Sequence, residues 1–132
     1  EFLTDSTQGL RVHIVSFGYK YGVPREADLV LDLRFLPNPY FENDLYQLSG
    51  QNQKIKDYVL GSDLGKDFEQ RFLDFLLYLL PLYTLEGRYR LTLALGCTGG
   101  RHRSVAVAES VAASLINNGK QASVEHRHME LG

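Results

Sequence analysis

Cysteine, methionine and tryptophan are almost absent from this chain: of 132 residues one is Cys, one is Met and none is Trp. A single thiol, Cys97, cannot close an internal disulfide. That excludes the disulfide-stapled secreted scaffolds and fits a reducing cytoplasm, where the chain is expected to work. A thiolate-rich structural zinc site is excluded on the same ground, and no metal site is expected. An excess of one charge is missing too. Fourteen Lys and Arg stand against sixteen Asp and Glu, a formal net charge of −2, so nothing global draws the chain to nucleic acid or to an anionic membrane. Long apolar runs are lacking. The most hydrophobic stretch, FLDFLLYLLPLY (72–83), is too short to cross a bilayer and contains Asp74 and Pro81, so no membrane partner is expected. The opening residues carry no signal-peptide core. Residues 1–9 are read as a linker or the remnant of a longer chain, and 10–132 as one domain.

What is present is an ordinary globular composition, 44% hydrophobic and 23% charged, with the charge unevenly placed. From Gly87 onward, Arg88, Arg90, Arg101, Arg103, Lys120 and Arg127 face only Glu109, Glu125 and Glu130. Any anion-binding face should therefore lie toward the C-terminal end. Leu10–Gly18 and the apolar run within 27–36 read as strands, the second as one buried on both faces. Gln51–Leu60 reads as a short helix. A second helix is expected from about Lys66 to Leu85, capped by Ser62 or Asp63 and bent or shortened by Pro81. Its apolar residues cover more than one stripe, which suits a central core helix or one shared with a second copy in a dimer or higher oligomer. Residues 89–96 give a third strand, 102–117 a helix stopped by Gly119, and 120–128 a last strand. The expected fold is α/β: a mostly parallel sheet of about four strands with helices on both faces.

The third strand and the following helix are joined by GCTGGRHRS (96–104). Cations are disfavoured at the start of a helix, because its unpaired N–H groups already carry partial positive charge. Arg101, His102 and Arg103 stand there nonetheless. A bound anion would reconcile them with the helix start, with glycines allowing close backbone approach and N–H groups pointing at the ligand. Cys97, Thr98, Gly99, Gly100, His102, Arg103 and Ser104 are the candidate phosphate-binding residues. Asp32, Arg34 and Asn38 follow the second strand and are expected on the same sheet edge, the usual ligand side of parallel sheets.

Cys97 to Arg103 also has the C-x5-R spacing of cysteine-dependent phosphatases, in which the thiolate attacks phosphorus and the arginine clamps its oxygens. On that alternative Cys97 and Arg103 would be catalytic; otherwise the chain carries no catalytic residue. No flanking pattern identifies the aspartic acid such enzymes need. GSDLGKD (61–67) has three residues between its glycines where a P-loop needs four, and Asp67 where Ser or Thr must hold magnesium. It is rejected. His126, Arg127 and His128 are expected to form a basic, solvent-facing rim.

The segments SFGYKYGVP, ADLVLDLRFLPNP, GCTGGRHRSV and the final HRH resemble, in order and spacing, the C-terminal domain of the RapZ/YvcJ family over about residues 11–130. The resemblance implies a longer protein whose N-terminal P-loop domain binds and hydrolyses ATP or GTP and is not part of this chain. It implies no cofactor. It implies instead an adapter that binds a small regulatory RNA, presents it to an RNase E-like endoribonuclease, and senses the phosphorylated amino sugar glucosamine-6-phosphate at the 97–103 loop with Asp32, Arg34 and Asn38 nearby. Lys20, Arg101, Lys120, His126, Arg127 and His128 would then be the RNA contacts. Tyr40, where members often have histidine, leaves open a YvcJ-type regulatory domain without an RNA role.

Overall fold

The computed structural model describes residues 9–132, so the linker expected over residues 1–9 lies, except for Gly9, outside the described residues. Four strands, β1 (Arg11–Gly18), β2 (Leu29–Asp32), β3 (Arg90–Cys97) and β4 (Gln121–His126), form one sheet in the order β2-β3-β1-β4. Every pairing is parallel, with Gly18 opposite Cys97, Asp32 opposite Gly96, and Ser16 opposite His126. The chain is therefore α/β, as its alternating strand and helix patterns predict.

Three helices connect the strands: α1 (Gln53–Leu60), α2 (Asp63–Leu85) and α3 (Arg103–Asn117). Asn52 caps α1 by accepting from the Lys54 N–H, and Ser62, rather than Asp63, caps α2 by accepting from the Gly65 N–H at 3.1 Å. The Ser62 cap explains why α2 begins at Asp63, earlier than its apolar periodicity suggests. Pro81 does not end α2, which continues to Leu85. Near it the Thr84 hydroxyl donates to the Leu80 carbonyl at 3.0 Å.

All three helices join one core with a single sheet face, where Val12, Ile14, Leu91, Leu93 and Leu95 are at most 1% exposed. The expectation of helices on both faces needs correction, and the strand order gives the reason. The passages from β2 to β3 and from β3 to β4 run in the same direction across the sheet. The right-handed rule therefore puts their helices on one side. Only the passage from β1 to β2 runs the other way. Residues 19–28 make it with a single 3-10 turn (Tyr19–Tyr21) and no α-helix.

β2 departs from expectation as well. It is a four-residue strand at the sheet edge with Val30 45% exposed, not a strand buried on both faces. Its apolar letters record one packed face and a neighbour on one side only. Among the described residues no helix is long and apolar enough to cross a membrane.

Candidate functional site

The strands' carboxyl ends, the turn after β3 and the irregular stretch 33–52 enclose a cavity of about 630 Å³. Cys97 ends β3 and Arg103 opens α3, so the turn between them hangs on two rigid elements. Gly100 makes the turn possible: its φ is +79°, and a Cβ there would lie 2.6 Å from the Gly18 nitrogen. Gly50 packs against the end of the turn, donating its N–H to the Arg101 carbonyl at 2.9 Å, and a Cβ there would collide with the His102 carbonyl oxygen.

Arg103 is the central group. It is 5% exposed and lines the cavity. Nη1 donates to the carbonyls of Arg34 (2.9 Å) and Leu36 (3.3 Å), and Nη2 reaches Thr98 Oγ1 at 3.5 Å. Its Nε is buried with no protein partner. A buried, orphaned donor on a full charge is costly unless something outside the chain accepts from it. The first turn of α3 contains no acidic residue to serve, and within the described residues the N–H groups of Gly99, Gly100, Arg101 and His102 make no hydrogen bond.

His102 is 7% exposed, its Nε2 2.8 Å from the Tyr46 carbonyl oxygen, which makes Nε2 the donor. Burial, helped by the charges of Arg101 and Arg103, holds its pKa below the ordinary histidine value. Arg101 donates to the carbonyls of Met129 and Gln47. No residue lining the cavity is Asp or Glu, while Lys20, Arg101 and Arg103 all border it. Carbonyls orient the Arg101 and Arg103 guanidinium groups without neutralising them. An arrangement of this kind has the donors and the uncancelled charge to hold an anion.

The sequence-derived residues divide around this geometry. Cys97, Thr98, Gly99, His102, Arg103 and Asn38 line the cavity together. Ser104 is fully buried and faces Cys97 instead, its Oγ 3.2 Å and its N 3.4 Å from Sγ. Gly100 shapes the turn. Asp32 and Arg34 form a half-exposed ion pair at 2.7 Å, which holds the Asp32 carboxyl below its usual range. The Arg34 guanidinium also sits 4.2 Å from the Tyr19 ring centre; neither Asp32 nor Arg34 lines the cavity, and the Arg34 carbonyl serves it by accepting from Arg103.

Of the RNA candidates, Lys20 and Arg101 border the same cavity. Lys120 does not. It precedes β4 and so lies at the other end of the sheet, about 23 Å away along an eight-residue strand. His126 lies between Ser16 Oγ and Glu109 Oε2, each at 2.7 Å, and Arg127 pairs with Glu26 (2.6 Å) and Glu125 (2.9 Å). His128 accepts the Gly18 N–H on Nδ1 at 2.9 Å and is 9% exposed. β4 ends at His126, so the three residues do not alternate along one strand.

Sequence reasoning missed one wall. Tyr40, Phe41 and Tyr46 also line the cavity, and Gly132 borders it. The available signal was NPYFENDLY: three rings in a polar, proline-broken loop with no helix or strand periodicity to bury them.

Fold and site together define a class: a parallel α/β domain presenting a helix start and a buried arginine to a basic, aromatic-walled cavity at the strands' carboxyl ends. The chain belongs to the family of the RapZ C-terminal domain, whose model matches residues 10–130. A nucleotide-binding protein of Oleidesulfovibrio alaskensis is 58% identical over 130 residues, which are 98% of this chain and 44% of that protein. One from Nitratidesulfovibrio vulgaris is 58% identical over 125 residues, 95% of this chain and 41% of the relative. A third, from Lawsonia intracellularis, is 55% identical over 128 residues, 97% and 40% respectively. The chain thus spans about two fifths of the length of the curated relatives it matches.

Proposed function

We propose that this domain is a metabolite-sensing RNA adapter that holds a phosphorylated amino sugar by its phosphate in the 97–103 cavity. Around it, Lys20 and Arg101 meet a small regulatory RNA, which the domain offers to an endoribonuclease. The observation that carries the metabolite half is the Nε of the buried Arg103, unpartnered among the described residues, inside a cavity they line with cations and no Asp or Glu. Family membership supports the RNA half. Titrating glucosamine-6-phosphate into the protein is expected to give saturable heat, and glucosamine none; no heat from the phosphate ester overturns the sensor. RNA binding should weaken steeply with added salt, because each phosphate contact releases counterions. A gel shift absent at low salt leaves the domain as a sensor alone, as in the YvcJ-type alternative.

A phosphatase reading has one observation in its favour. Cys97 and Arg103 share the cavity, and the Cys97 sulfur accepts from the Ser104 N–H while its S–H donates to Ser104 Oγ. It lacks a side-chain general acid, since among the described residues no Asp or Glu lines the cavity to protonate a leaving group. Turnover of an aryl phosphate by the wild type, lost in Cys97→Ser, is the result that would restore it.

A further inference from the structure

Helix α2 has an outer face that the domain leaves uncovered. Leu76 and Leu80 turn its inner face into the core, yet Phe75, Tyr78, Leu82 and Leu85 are 52%, 67%, 47% and 58% exposed. At about 3.6 residues per turn these four fall on one stripe, on the side opposite Leu76 and Leu80. The segment 75–85 holds no charged residue, and Asp74 and Glu86 bound it. A surface helix ordinarily carries its charges on the outer side. Single exposed apolar residues need no explanation, but a contiguous row over about three turns marks a contact surface. None of the four lines the cavity, so ligand binding does not account for them.

The spacing of the row selects its occupant. Positions 75, 78, 82 and 85 follow the three-and-four alternation of helices that pack side by side. That order, three, four, three, reads the same in both directions. A second copy of α2 laid antiparallel, about a two-fold axis level with Leu80, therefore sets Phe75 against Leu85 and Tyr78 against Leu82, and each pair occurs twice. A partner of different sequence does not require a palindromic row. The match continues past the apolar segment. Arg71 stands four residues before Phe75 on the same stripe, and Tyr89 stands four after Leu85 in the turn beyond the helix. The antiparallel copy brings each Arg71 toward the other's Tyr89. The Arg71 side chain is 79% exposed and pairs only along its own helix, with Asp67, and Tyr89 is 78% exposed. A guanidinium beside an open ring is a favourable contact. Counting roughly 100 Å² for each of these part-exposed side chains, the two copies together would cover on the order of 1,200 Å², enough for a specific interface.

We infer that α2 is the interface of an antiparallel, two-fold dimer of this chain, with Phe75, Tyr78, Leu82 and Leu85 as its seam. The seam lies outside the cavity, so the inference stands apart from what the cavity holds.

Light scattering after gel filtration, over roughly a hundredfold range of concentration, is expected to show twice the chain's mass of 15.0 kDa at the upper end. Tyr78→Glu/Leu82→Glu places unpaired charges in the seam and should weaken the dimer by roughly a hundredfold, leaving the monomer. Both residues are exposed, so the variant is expected to fold, and an unchanged far-ultraviolet circular dichroism spectrum checks it. A wild type that stays monomeric at every concentration overturns the inference and leaves the face to a partner of different sequence. A dimer that survives the double substitution places the contact elsewhere and overturns it as well. Orientation is read separately, by mild oxidation of Tyr78→Cys and Leu82→Cys proteins. Mixed, they should link more readily than either does alone, because position 78 faces 82 across the axis. Equal linking in all three samples rejects the antiparallel seam.

Discussion

Two basic tripeptides of mirrored composition, Arg101-His102-Arg103 and His126-Arg127-His128, lie in one small domain and are treated in opposite ways. The second is neutralised from within: Glu109 takes His126, Glu26 and Glu125 take Arg127, and His128 uses its ring nitrogen as an acceptor. Among the described residues the first forms no ion pair with a carboxylate. Its hydrogen bonds go to the carbonyls of Arg34, Leu36, Tyr46, Gln47 and Met129 and weakly to Thr98 Oγ1, and one guanidinium nitrogen is left over. Carbonyl dipoles hold a cation in place while leaving its net charge available to a ligand; carboxylates cancel it. A basic cluster is a binding site only where its own protein has declined to neutralise it.

The largest effect that sharpens this contrast is expected at Arg103. Arg103→Ala removes the donor to two carbonyls in a buried setting, at a cost of about 2–4 kcal/mol of stability. It should also abolish stabilisation by phosphate, which in the wild type is expected to reach about 2.7 kcal/mol at a hundred times the dissociation constant. Arg103→Lys keeps the charge but not the planar fork, and should retain part of the phosphate response. Thermal melts with and without phosphate read both effects. An Arg103→Ala protein whose melting temperature still rises with phosphate would show that the two tripeptides do not differ as claimed.

The two clusters were not equally legible in the sequence. The grouping of 97–103 on one cavity was, because its parts are adjacent: glycines, hydroxyl and cations lie between one strand and the next helix. The neutralisation of 126–128 was not. Glu26 lies about a hundred residues before Arg127, and Glu109 sits on another element, so a rim that reads as solvated is in fact paired. The aromatic wall was missed for the same reason, since Tyr40 and Phe41 meet the turn only through the fold. Strand existence was legible from β-branched runs, but strand position was not. Leu29, Val30 and Leu31 look equally apolar, and only the β2-β3-β1-β4 order makes Val30 a surface residue. That same order carries both helical crossovers to one face, a consequence that alternation of elements alone does not contain.

A smaller effect is expected in the neutralised cluster. Glu109→Gln keeps the shape of the bond to His126 but removes the charge, at a cost of about 1 kcal/mol for a partly exposed pair. His126 lies at the end of β4, and its other nitrogen is held by Ser16, so the ring should stay in place. Phosphate should stabilise this variant as much as it does the wild type. A diminished phosphate response would mean that the 126–128 cluster supports the receptor, and the separation of roles would fail.

The smallest effect, and the one most dependent on conditions, concerns Glu26. Hydrogen bonding from Arg127 holds its carboxyl down to about 2, against an ordinary value of 4.5. A carboxyl with a lowered folded-state pKa contributes stability that is fully present above its unfolded value and is lost as pH falls through the folded one. Glu26→Gln should therefore lose less stability than the wild type as pH falls from about 4.5 to about 2, the range in which the wild type loses this contribution. The pair is solvent-exposed, so the difference should shrink as salt is added. Acid unfolding of the two proteins at low and high salt measures it. Identical acid limbs at low salt would mean that Glu125 alone neutralises Arg127, which would leave the contrast between the clusters intact but move its weight from the β1–β2 connection to β4 itself.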